Sequence, residues 1–167
     1  MSRPFLLILL IIAVSIPYLK PVLAPLDYES LDNNCINNIF LQTSSATCGP
    51  ACAATILRYY GIPAAEQEIA RECYTYIGGT EVWYIARALR KRGLTCQFQI
   101  QKEKPFTLPY PAIAGIDIGA GHFITILEKK DDSYAIGDPI VGRKIIEESD
   151  IRDRINFTGF FLVVRKD

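Results

Sequence analysis

An α+β domain, with helices first and a mostly antiparallel sheet after them, is the fold class this sequence predicts. Three observations carry that expectation. Apolar residues recur at helical spacing up to Arg92, the segments after Leu94 turn β-rich and alternating, and the turns between those segments are too short for crossover helices. With 167 residues, 50% of them hydrophobic, the chain suits one compact domain with its own core.

The first element is "MSRPFLLILLIIAVSIPYLK", which opens positive at Arg3, runs uncharged and mainly apolar from Phe5 to Leu19, and closes at Lys20. Export signals share this layout. The run falls short of the roughly 20 residues of a spanning helix, which favours a signal peptide. Pro25, directly after the small residue Ala24, opposes cleavage there and favours an uncleaved anchor. Either reading of residues 1–24 leaves the N-terminus in the cytoplasm and the rest of the chain outside it, membrane-anchored or secreted. Residues 25–40, Pro-rich and then polar with paired asparagines, read as a linker, and residues 41–167 as the domain.

Within the domain a helix is expected from Cys48 to Tyr60, stopped by Gly61 as a C-cap. A second follows Pro63 at Ala64–Glu72. A third spans Glu81–Arg92, where Val82, Ile85, Ala86 and Leu89 form one stripe and Gly93 ends it. Its basic end, "RALRKRG", complements the negative end of the helix dipole. Prolines 105, 109 and 111 mark "QKEKPFTLPYPA" as a connector. Strands are expected at "TCQFQI", "YPAIAGI", "HFITILE", "SYAIGD", "RKIIEE" and "FTGFFLVVRK".

Composition narrows the function classes. Lys plus Arg and Asp plus Glu each number 18, with no basic block, so the electrostatic footprint of a nucleic-acid binder is missing. No "GxxxxGK[ST]" motif occurs, and neither an ATP site nor any cofactor or metal is expected. The five cysteines of an exported chain suggest a disulfide-bonded set and one spare thiol. With Cys48 as the spare, Cys35, Cys52, Cys73 and Cys96 allow three pairings; Cys52 and Cys73 read equally well as small buried core groups.

Chemistry concentrates in "QTSSATCGPACAATILRYYG", from Gln42 to Gly61. A nucleophilic cysteine reacts as its thiolate, and the two devices that favour the anion are a helix N-terminus and an imidazole partner. Cys48 stands where polar "QTSSAT" gives way to the helix, with Pro50 in the one turn that tolerates proline. Cys52 lies a turn further in, on an apolar face. The chain has a single histidine, so any Cys–His pair uses His122. A hairpin turning around Lys130 would place His122 opposite Asp138, Ile124 opposite Ile136 and Ile126 opposite Tyr134. Opposed Cβ atoms lie about 5 Å apart, near enough for Asp138 to orient the imidazole. The Gln42 amide and the Cys48 backbone N–H are candidate donors to an oxyanion.

The ordered set Gln42, Cys48, His122 and Asp138, with "CGPACAATILRYYG", "LPYPAIAGID", "GHFITIL" and "AIGDPIVG", resembles the bacteriocin-processing cysteine peptidases, a papain-like family that removes leader peptides after a double glycine. The similarity runs from about Leu41 to Val164 and takes in "ESDIRDRINFTGFFLVV", which is similar to the family's closing helix and strand. The resemblance implies a papain-like fold, Cys48 as nucleophile, His122 as base, Asp138 as orienting acid, Gln42 as oxyanion donor and a peptide or protein as substrate. Thr47 stands where family members often have Asp, a departure that bears on substrate choice. The same thioester chemistry would serve an amidase or acyl transferase, and a non-catalytic leader-binding module is a further reading. The retained Cys, His and Asp favour the peptidase.

Overall fold

The computed structural model describes residues 3–166. The first two residues, which carry the amino-terminal charge of the export-signal reading, lie outside them. Helix α1 (Arg3–Leu23) holds the apolar run, whose large side chains face solvent. From Phe5 to Leu19 it rises about 22 Å, less than the ~30 Å of a bilayer core. Among the described residues no helix is long and apolar enough to cross a membrane, which leaves the spanning-anchor expectation without support. The helix's C-terminal end is tied to the domain: Lys20 Nζ meets Glu81 Oε1 at 2.8 Å, and the Ile77 N–H donates to Ala24 O at 3.0 Å.

The stretch read as a linker carries structure of its own. A 3-10 turn at Tyr28–Ser30 precedes a minimal hairpin, β1 (Cys35–Ile36) and β2 (Ile39–Phe40), closed by Asn37 and Asn38 at positive φ. Leu31, Ile39 and Phe40 are buried, and the Phe40 N–H donates to Thr55 Oγ1 at 2.9 Å.

Three helices follow: α2 (Cys48–Tyr59), α3 (Glu66–Glu72) and α4 (Val82–Lys91). Every residue of α2 from Gly49 to Leu57 is buried, as suits a helix apolar on all sides. Its small residues let neighbours come close. A Cβ on Gly49 would lie 2.6 Å from Ile85 Cδ1 of α4. Beyond them stands a six-stranded antiparallel sheet of β3 (Leu94–Ile100), β4 (Ala112–Asp117), β5 (Gly121–Lys130), β6 (Ser133–Asp138), β7 (Gly142–Glu147) and β8 (Phe157–Lys166), in the order β3-β8-β4-β5-β6-β7. Helix α5 (Glu148–Arg154) joins the last two strands. Two cores result. One sits between the helices and the sheet and includes Cys52, Ile85, Leu127 and Leu162; the other includes Ile124, Ile126, Ile136, Ile151 and Phe161.

Two expectations need correction. The hairpin turns at Asp131–Asp132, with Lys130 paired to Ser133 and Glu128 to Ala135; a bulge at Leu127 then shifts the register, so that Ile126 faces Ile136 and Thr125 faces Gly137. His122 is therefore not directly opposite Asp138. The disulfide-bonded set is also not formed: all five cysteines are free thiols, with Cys52 and Cys73 fully buried in the core.

Candidate active site

The mouth of α2 is built by a local turn. Thr47, fully buried, donates its N–H to Ser44 O at 3.1 Å and its hydroxyl to the same carbonyl at 3.0 Å, while the Ser44 N–H donates to Thr47 Oγ1 at 3.1 Å. Thr47, where the resemblance led one to look for Asp, is thus a structural residue of the turn. Of the amides that a helix start leaves without an internal partner, Thr47's is satisfied by Ser44 and Pro50 has none. The N–H groups of Cys48 and Gly49 remain at the mouth, beside the half-buried Cys48 side chain.

His122 opens β5 and is only 6% exposed. Its Nε2 lies 3.4 Å from Asp138 Oδ1, a long hydrogen bond, which leaves Nδ1 as the second ring nitrogen. Burial alone would lower the imidazole's pKa. The hydrogen bond to Asp138 and the nearby Cys48 side chain outweigh it and push the value up to about 9. On Asp138 burial likewise opposes charge, but the bonds from His122 and from the Ile140 N–H (2.9 Å), with the nearby cations, hold its pKa below the usual carboxylate range. One of those cations is Lys144, whose Nζ lies 3.6 Å from Asp138 Oδ2. Histidine and aspartate come together despite the changed register because both lie on the same face of the hairpin.

Gln42 reaches the site through its backbone. Its N–H donates to Pro139 O at 2.9 Å, tying the loop before α2 to the turn after Asp138. Its side-chain Nε2 donates to Ser44 O at 3.0 Å, while Oε1 is buried without a partner. One of the two amide hydrogens is used in this way. Of the other cysteines, Cys35 is exposed, while Cys52, Cys73 and Cys96 are made less reactive by burial. Desolvation pushes the Cys52 thiol well up, that of Cys73 to about 12 and that of Cys96 to about 11.

Two supports escaped the sequence reading. Glu66, fully buried at the start of α3, accepts from the Thr43 N–H at 2.8 Å and the Thr43 hydroxyl at 2.7 Å, clamping the residue next to Gln42. Thr125, also fully buried, donates to Gly137 O at 2.9 Å, immediately before Asp138. For Glu66 the available signal was a glutamate within the first helical turn after Pro63; its partner 23 residues away left none. Cys48 and His122 open onto a cavity of about 400 Å³ walled by Gly78, Gly79, Gly115 and Gly121, with Phe123 and Phe160 beside them. A Cβ on Gly115 would lie 2.7 Å from Thr158 Oγ1.

Helices on an antiparallel sheet, with a cysteine at a helix mouth beside a histidine, define a papain-like cysteine peptidase. The model of the Peptidase C39 family matches residues 37–167, and the chain belongs to that family. It is 31% identical over 130 residues to an uncharacterized protein of Methanothermobacter marburgensis, covering 77% of this chain and 89% of that one. Over 120 residues it is 28% identical to the lactococcin-G-processing and transport ATP-binding protein LagD of Lactococcus lactis, covering 68% of this chain and 17% of LagD. Among solved structures, a double glycine motif protease from an AMS/PCAT transporter, in complex with its leader peptide, matches with a TM-score of 0.65 at 24% identity, covering 77% of this chain and 91% of that one.

Proposed function

We propose that Cys48, His122, Asp138 and Gln42 act together to hydrolyse a peptide bond that follows a double glycine. The observation that carries this reading is the chain's one histidine, which shares a cavity with Cys48, is hydrogen-bonded to Asp138 and holds its proton up to a pKa of about 9. The glycine-walled cavity beside Cys48 suits a substrate segment without side chains; LagD's name describes lactococcin-G processing, and the structurally similar AMS/PCAT enzyme is named as a double glycine motif protease.

The Cys48 thiolate attacks the carbonyl carbon. As the S–C bond forms, the carbonyl electron pair moves onto oxygen, where the Cys48 N–H and the second Gln42 amide hydrogen receive it. The C–N bond then breaks, and the departing nitrogen takes its proton from the His122 imidazolium. Neutral His122 next accepts a proton from the water that attacks the thioester. The C–S bond breaks, releasing the acid and restoring thiolate beside imidazolium.

The test uses a peptide with Gly-Gly before the cut and an Ala-Ala counterpart. Cleavage of the first alone, abolished in Cys48→Ala and His122→Ala, is the expected result; cleavage that survives Cys48→Ala refutes the mechanism. We also propose that the domain works outside the cytoplasm, on the signal-like layout of residues 1–24. Protease treatment of intact cells producing the chain tests this, since digestion is expected and full protection contradicts it.

A further inference from the structure

The cavity at Cys48 adjoins a second one, of about 530 Å³, on the Asp138 side. Its apolar lining includes Ile116, Ile124, Ile136 and Ile146. Ile116 lines both cavities and is the cross-strand partner of His122, so the two meet at the residue paired with His122. Two further lining residues, Ile118 and Ile145, are 58% and 63% exposed, apolar surface that a bound chain would cover.

The peptidase reading above, on which this inference rests, fixes which part of a substrate lies there. The acyl half remains bonded to Cys48. The amine half receives its proton from His122, so it departs on the imidazole's side. We infer that the second groove receives the residues C-terminal to the cut bond and selects an aliphatic or aromatic side chain among the first few of them. An acidic residue is disfavoured there, because Asp117, Asp138 and Asp153 outnumber the groove's cations, Lys144 and Arg154.

The experiment compares substrates sharing one leader that ends in Gly-Gly. One carries a coumarin amide and no residues beyond the cut; the others are peptides with Ile, Phe, Ser or Asp at the second and third positions after it. The Ile and Phe peptides are expected to exceed the Asp peptides in kcat/KM by roughly tenfold, the discrimination that one apolar pocket contact supplies. Ile145→Asp, and independently Ile118→Asp, should lower the Ile-peptide rate relative to the coumarin amide by a similar factor. If the coumarin amide is cut while the peptides and both variants show no such differences, the groove assignment is overturned. If neither coumarin amide nor peptide is cut, the peptidase reading falls and this inference with it. Should a variant fail to fold, the substrate series on the unaltered protein decides.

Discussion

Asp138→Asn removes the charge behind the imidazole while keeping an oxygen that accepts from Nε2–H. The rise of the His122 pKa from 6.5 to about 9 corresponds to about 3 kcal/mol in favour of imidazolium. Asp138 and Cys48 supply that preference against the opposing effect of burial. Losing the aspartate charge should lower the midpoint by about 1–2 pH units, or about 1.4–2.7 kcal/mol. Because the chain holds one histidine, a titration of the imidazole Cε1–H resonance by NMR reads this residue without ambiguity. The consequences have a definite sign. The proton donor for the leaving amine is present below the folded-state pKa and lost above it, so the alkaline limb of kcat/KM should move to lower pH in the variant. Stability follows the same direction: a raised folded-state value contributes stability that is complete below pH 6.5 and lost as pH rises through about 9. Thermal melts of the unaltered protein should therefore fall across that window, and less so in Asp138→Asn. A wild-type midpoint below 7, or a variant midpoint equal to it, would refute the reasoning.

Gly137→Ala would set a Cβ 2.3 Å from Thr125 Oγ1 and 2.8 Å from Ile39 Cδ1, so urea melts should show a loss of about 1–3 kcal/mol from overpacking. Glu66→Gln replaces one acceptor of the buried Thr43 clamp with a donor; a loss of about 1.5–3 kcal/mol is expected from a bond to a charged group, and a change under 0.5 would argue against the clamp. A brief maleimide pulse on the native protein, mapped by mass spectrometry, should label exposed Cys35 and half-buried Cys48 ahead of Cys52 and Cys73, and the opposite order would contradict their burial.

What could be read in the sequence was local. The helix at Cys48 declares itself through apolar spacing, Pro50 and Gly61, and that Cys48 stands at its mouth while Cys52 lies a turn inside needs only position along one helix. The β-rich second half is equally plain from alternation. Features that depend on distant partners left little trace. Leu31, Ile39 and Phe40 belong to the core although their segment has the composition of a linker, because a two-residue turn of Asn37 and Asn38 folds it back against α2. The cysteine count suggested bridges, yet pairing needs Cα atoms within about 7 Å and facing Cβ vectors, which no spacing along the chain encodes.

The hairpin shows most sharply where sequence reading stops. Side chains alternate across a strand, so a one-residue change of register moves a residue to the opposite face. The pairing next to the turn, Glu128 with Ala135, would if continued set Asp138 against Thr125. It would then point away from His122. The extra residue at Leu127 shifts the pairing by one, sets Thr125 against Gly137 instead, and returns Asp138 to the face of Ile124 and His122. Leu127 itself is buried on the helix side while Ile126 is buried on the other, so packing on both faces holds the bulge in place. A register two residues away from the true one keeps the same face, which is why an idealised hairpin brings the right pair together through the wrong partners. The contact between His122 and Asp138 thus depends on a buried leucine that does not line the Cys48 cavity.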